Sequence, residues 1–128
     1  VLGPLREYNQ VELAFTDARF LGIEAPVRLS GNVENTPGCF LVGPNGGLEL
    51  DHGVLRAARH VHMNSAEAEY YGVRAGDHMR LVVDSDQGGL LEGLICRISD
   101  KEKLEVHIDT DEGNALALVQ ARKVYIEK

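Results

Sequence analysis

Val54-Leu55-Arg56-Ala57-Ala58-Arg59-His60-Val61-His62 alternates as an extended segment does and reads as one strand. Residues at i and i+2 on a strand point to the same side, so His60 and His62 share a face. That geometry suits two imidazoles converging on one metal ion. His107 lies in a second alternating segment, Leu104-Glu105-Val106-His107-Ile108. Three imidazoles with an open fourth position are one recurrent form of catalytic zinc site. Metal-dependent chemistry follows if the fold brings the two segments together.

Working outward, the periodicity stays mostly at two. Gln10 to Phe15, Val27 to Ser30, Cys39 to Val42, Gly47 to Leu50, Met79 to Val83, Leu91 to Ile98, Leu104 to Ile108 and Lys123 to Ile126 also read as strands. Thr36-Pro37-Gly38, Gly43-Pro44-Asn45-Gly46-Gly47 and Asp86-Gln87-Gly88-Gly89 are turn signals between them. The second of these has no GK[ST] ending and no following helix, so it is a hairpin turn rather than a phosphate loop. Three helices are short. Asn64 caps Ser65 to Tyr71, with Glu67 in the capping-box position and Gly72 just past the end. Thr16-Asp17 opens another that stops near Gly22, and a third is expected over Glu112 to Leu118. The fold class is mainly β, built of β-barrel units capped by short α-helices.

The chain has 128 residues, enough to bury a real core, with 44% hydrophobic and 26% charged residues. No apolar run approaches the roughly 20 residues of a membrane helix, so no membrane partner is expected. A net charge of -7 argues against nucleic acid, which wants a basic face. Small phosphorylated ligands remain open, since they need only a local arginine or a metal. Cys39 and Cys96 lack CxxC spacing and read as two reduced thiols.

An internal echo runs through the chain. Val1-Leu2-Gly3-Pro4-Leu5-Arg6 followed by Val11 to Asp17 parallels Leu91-Glu92-Gly93-Leu94-Ile95 followed by Val106 to Asp111. Glu12 then falls opposite His107. The expected organisation is residues 1–57 as the remainder of one barrel, cut short at its start, and 58–128 as the second barrel. The first copy's counterpart of Arg59-His60-Val61-His62 would lie upstream of Val1. An open strand edge left by that shortening would invite self-association.

Gly3-Pro4-Leu5-Arg6, Val11-Glu12-Leu13-Ala14-Phe15-Thr16-Asp17, Leu21-Gly22-Ile23-Glu24-Ala25-Pro26-Val27-Arg28, Thr36-Pro37-Gly38, Leu41-Val42-Gly43-Pro44, Ala57 to Met63 and His107-Ile108-Asp109-Thr110-Asp111-Glu112 occur in that order. Together they resemble the PduL-type phosphotransacylases, the phosphate propanoyltransferases. The resemblance implies interconversion of acyl-CoA and phosphate with acyl phosphate and CoA. It implies two similar barrels and two zinc ions, with His60, His62 and His107 binding one zinc and Glu12 helping to bind the other. Arg6 would hold phosphate, while Leu2, His107 and Asn114 would lie near coenzyme A. It further implies a bacterial cytoplasmic protein, free or inside a microcompartment. The tail Val119 to Val124 departs from the family in lacking a glycine turn.

Two other functions fit the residues taken alone: a non-catalytic zinc-binding barrel module, and a zinc hydrolase acting on thioesters. Arg59 falls on the strand face opposite the histidines, where an ion pair competes with a catalytic role. Asp109 and Asp111 are either carboxylates that orient an imidazole or an exposed acidic turn. His52 and His78 have no motif around them and read as structural.

Overall fold

A computed structural model describes residues 5–128 of the chain. The chain divides into two compact units, Val1–Ala57 and Ala58–Lys128. Strand predominates over helix, and the larger sheet curls as a half-barrel. Among the described residues, no helix is long and apolar enough to cross a membrane.

The first unit is organised around β5 (Val54–Ala57), which pairs in parallel with β1 (Val11–Glu12) on one side and β2 (Val27–Arg28) on the other. Helix α1 (Phe15–Phe20) joins β1 to β2. Val54, Ala18 and Ala25 are buried together, with Val11, Leu13, Ile23 and Cys39 packed against them. A hairpin of β3 (Cys39–Gly43) and β4 (Gly46–Leu50) turns at the glycine-rich segment, with Gly43 opposite Gly46. Gly38 precedes it and has no room for a side chain: a Cβ there would lie 1.9 Å from the Leu50 carbonyl oxygen.

The second unit carries a five-stranded sheet in the order β10-β7-β8-β6-β9. These strands are β6 (His60–Met63), β7 (His78–Asp84), β8 (Gly89–Ile98), β9 (Glu105–His107) and β10 (Lys123–Glu127). β6 runs parallel to β8 and antiparallel to β9. Helix α2 (Ser65–Tyr71) carries the chain out of β6 toward β7. Val61, Met63, Leu81, Val83, Leu94 and Cys96 form the core, with α2 contributing Ala68. Each fully buried aliphatic side chain is worth about 1.5–3 kcal/mol of transfer free energy, so one face of β6 anchors the sheet.

Helix α2 is only seven residues long and would not persist alone. Asn64 accepts from the Glu67 backbone and Glu67 accepts from the Asn64 backbone, both at 2.9 Å, which closes the capping box. At its other end Gly72 adopts φ +64°, and Val73 N–H donates to the Ala68 carbonyl. Gly22 ends α1 in the same way, at φ +70° with Ile23 N–H donating to Ala18. Both are glycine-terminated helix ends of the Schellman type, in which the left-handed residue costs a glycine little.

Four sequence expectations are corrected. Val54 to His62 is two strands, interrupted at Ala58-Arg59, because β5 and β6 belong to different sheets. The strand expected over Gln10 to Phe15 shrinks to Val11–Glu12, because Ala14 already accepts the first helical bond from Ala18. Helix α1 consequently starts at Phe15, ahead of Thr16-Asp17, and has no side-chain cap. The last helix, α3, spans Thr110–Ala115 rather than Glu112 to Leu118. Asp109 caps it in a reciprocal box with Glu112, and Ala117 at φ +47° separates it from a 3₁₀ turn, Leu118–Gln120.

Asn64→Ala should lower the unfolding free energy by about 1 kcal/mol, read as a reduced urea midpoint at unchanged slope. An unaltered midpoint would mean that the cap does not hold α2.

Candidate metal centre

The register of three strands builds the centre. His60 stands opposite His107 on β9 and beside Ile95 on β8, while His62 stands opposite Glu105 and beside Arg97. Val61 and Met63 point into the core, so the alternation of β6 puts His60 and His62 on its other face. The His60 and His107 rings stack with centroids 4.7 Å apart, and the His62 ring meets each of them edge-on at 4.9 Å. One donor atom from each of the three imidazoles lies within 4.8 Å of the others. This group could hold a metal ion. In a tetrahedral zinc site with bonds of about 2.0–2.1 Å the donor nitrogens stand about 3.4 Å apart, so the widest-spaced pair would draw together by about 1.4 Å to share an ion.

The protonation chemistry of the site favours a ligand role. His60 Nδ1 lies 2.9 Å from the Ala58 carbonyl oxygen, which selects the tautomer with hydrogen on Nδ1 and leaves Nε2 as an acceptor. His62 Nδ1 is buried and, among the described residues, is the only buried side-chain nitrogen or oxygen without a hydrogen-bond partner. The Glu102 carboxylate is 3.6 Å from it, too long for a hydrogen bond. An orphaned buried imidazole nitrogen beside two further imidazoles is what a metal-binding triad presents before the ion is counted. Burial chiefly pushes the His60 pKa below 6.5, helped by His107, His62 and Arg97 and opposed by the Ala58 carbonyl. Burial also leads in lowering His62, with Glu102 the main opposing influence. Neutral imidazoles are the form that donates to a metal.

The other sequence candidates divide between the units. Arg59 forms an ion pair with Glu112 at 2.6 Å and donates to the Glu92 carbonyl, so it ties α3 to the start of β6. Asp109 spends its carboxylate on the α3 cap. Asn114 is exposed on α3, in the same unit as the three histidines. Leu2 lies outside the described residues.

Arg6 and Glu12 belong to the first unit and are linked by two residues that motif reading passed over. Arg6 donates to the Tyr8 and Ser30 hydroxyls, each at 3.2 Å. Gln10 donates to Ser30 at 2.9 Å and to Glu12 at 2.5 Å, and accepts from the Gly31 backbone at 2.7 Å. Tyr8, Gln10 and Ser30 are neutral, so among the described residues the side chains that hydrogen-bond Arg6 bring no charge of their own, and the Glu12 carboxylate stands at the far end of the relay. The only hint in the sequence is the i, i+2 spacing of Gln10 and Glu12. Ser30 is brought in by the tertiary fold.

A sequence model of the phosphate propanoyltransferase family matches residues 1–119. The chain belongs to that family. A phosphate propanoyltransferase of Planctopirus limnophila is 55% identical over all of this chain and 53% of its own length. Those of Thermotoga maritima and Salmonella typhimurium are 46% and 48% identical, over 98% and 90% of this chain and 60% and 55% of their own lengths. The chain thus spans a little over half the length of these relatives. The stretch matched to the phosphate propanoyltransferase family contains the three histidines and the whole Arg6–Ser30–Gln10–Glu12 relay.

Histidines held below their unfolded value of 6.5 stabilise the fold fully above that pH, because the unfolded chain binds the proton first. This contribution is lost as pH falls through the lower folded values. In the metal-free protein, ring-proton NMR of His60 and His62 should show midpoints below 6.5, and urea stability should fall on acidification below that pH. Midpoints above 6.5 would contradict the burial argument.

Proposed function

We propose that this chain carries part of the reacting centre of a phosphotransacylase that interconverts acyl-CoA and phosphate with acyl phosphate and CoA. The observation that supports it most is the convergence of His60, His62 and His107 in a chain of the phosphate propanoyltransferase family. These histidines would hold one zinc ion, and Glu12 would be one ligand of a second. Zinc bound there would supply Lewis acidity toward the thioester carbonyl and the departing sulfur.

The chain's own residues do the rest. Arg6, hydrogen-bonded to the neutral Tyr8 and Ser30 hydroxyls, offers its guanidinium for a bidentate grip on phosphate. Gln10 and Ser30 fix its direction and that of the Glu12 carboxylate. A phosphate oxygen attacks the acyl carbon, a carbon–oxygen bond forms, and the carbon–sulfur bond breaks with its electron pair leaving on sulfur. The coenzyme sulfur takes up the proton that phosphate gives up, so atoms and charge balance. Burial pushes the Cys96 thiol up and keeps it protonated, which argues against that cysteine as a covalent acyl carrier. Positioning of the two substrates supplies much of the remaining rate. Asn114, Leu2 and His107 are assigned to the coenzyme side. The same reading places the protein in the bacterial cytoplasm, free or within a microcompartment.

The test begins with stripping the protein and reloading it with zinc. Elemental analysis should find about one tightly held zinc per chain through the three histidines, lost in His60→Ala. Propanoyl-CoA and phosphate should then yield an acyl phosphate, trapped as its hydroxamate. Arg6→Gln should raise the phosphate requirement roughly 10- to 100-fold, the value of a charge-assisted contact. CoA release at the same rate without phosphate would instead identify a thioester hydrolase.

Self-association belongs to the same proposal. β9 and β10 end the five-stranded sheet, and each leaves one edge unpaired among the described residues. Light scattering should find a dimer or larger species at micromolar concentration, whereas a strictly monomeric, folded species would count against it.

A further inference from the structure

The turn between β8 and β9, Ser99-Asp100-Lys101-Glu102, is fastened to the end of the strand that carries His60 and His62. Ser99 N–H donates to the carbonyl of Met63, one residue past His62, at 3.0 Å. The Asp100 carboxylate accepts from the Ser65 hydroxyl at 2.6 Å and from the Ser65 backbone at 3.2 Å, at the first residue of α2. Glu102 N–H donates back to the Ser99 carbonyl at 2.9 Å, which closes the turn. These bonds hold the Glu102 backbone near the end of β6, and its carboxylate stands 3.6 Å from His62 Nδ1.

That nitrogen is the buried orphan of the site. Its burial shuts out bulk water, so a protein group has to satisfy it. Among the described residues, Glu102 brings the one carboxylate in ion-pair range of His62. The Glu102 side chain is 45% exposed and turns on three single bonds, so it can close the roughly 0.4 Å that separates the pair from a hydrogen bond. Glu105 differs in both respects. Its carboxylate lies 3.8 Å from His107 Nε2, and both side chains stand in solvent, where water can serve either.

We propose that Glu102 is a positioning residue of the metal centre, accepting a hydrogen bond from His62 Nδ1–H and so leaving His62 Nε2 for the ion. A neutral imidazole has one donor and one acceptor, so a proton on Nδ1 frees the Nε2 lone pair. His60 reaches the same tautomer by another device, the Ala58 carbonyl. A carboxylate adds charge to orientation, since it raises the donor strength of the ring it faces. Glu102 therefore sets how tightly the centre holds its ion. This rests on the reading of the three histidines as a zinc site.

The test measures zinc affinity, by competition with a chromophoric chelator, for wild type, Glu102→Ala, Glu102→Gln and a control, Glu69→Ala, at an exposed position of α2. Glu102 gives the turn its backbone rather than its side chain, so urea midpoints should match wild type throughout. Glu102→Ala should bind zinc about 10- to 100-fold more weakly. Glu102→Gln keeps an acceptor oxygen without the charge and should recover part of that loss, while Glu69→Ala should match wild type. Ring-nitrogen NMR of the zinc-loaded wild type should show His62 protonated at Nδ1 and metal-bound at Nε2. Metal on Nδ1 would overturn the inference. With cobalt(II) in place of zinc, wild type and Glu102→Ala should share one ligand-field spectrum; a changed spectrum would make Glu102 a ligand of the ion and overturn its positioning role. Unchanged zinc affinity in Glu102→Ala would also overturn it and leave the three-histidine reading standing. Wild type that holds no zinc, or keeps it in His60→Ala, would bring down both.

Discussion

The site depends on the pinning of β6 between β8 and β9. Parallel pairing on one side and antiparallel pairing on the other fix the register of His60 and His62 to within a residue. A slip of one residue would turn both imidazoles into the core and bring Val61 and Met63 out to the opposite face. The burial of those two side chains, with Leu94 and Cys96 from β8, opposes that slip. Hydrophobic packing on one face of the strand thereby sets the geometry of the imidazoles on the other. The backbone bonds from Ile95 to the Arg59 carbonyl and from Ser99 to the Met63 carbonyl close the strand at both ends.

The two units present different functional groups on different materials. The second unit presents nitrogen donors on rigid strands, with α3 capped two residues past His107 and tied to Arg59 through Glu112. The first presents an aligned cation and a carboxylate, joined through a hydroxyl and an amide. Imidazoles must be neutral to donate, and burial holds His60 and His62 in that state. A guanidinium is always charged, and the groups that hydrogen-bond Arg6 are neutral hydroxyls. The contrast follows from desolvation, which penalises the charged form of any buried group.

Local chemistry was legible wherever a short stretch satisfies itself. Asn64 with Glu67, Gly72 after α2, Gly22 after α1 and the Pro44-Asn45 turn are decided within a few residues, and they form as read. Boundaries went astray where neighbours in space override periodicity. Val54 to His62 alternates without interruption, yet two different sheets claim its halves, and only their pairing partners reveal the break. The Asp109–Glu112 box also stands in the sequence as D-x-x-E, and it starts α3 at Thr110, two residues ahead of the helix expected from Glu112.

The sequence by itself determined the strand character of the chain, its short capped helices, its family, and which three histidines are candidates for a shared ion. Those properties depend on residue type and on spacing along one segment. Tertiary structure alone decided that His107 stacks on His60, that Ser30 and Gln10 connect Arg6 to Glu12, and that Arg97 flanks His62. Each of these joins segments far apart in the chain. Strand register and loop closure bring them together, and no period within a single segment encodes either.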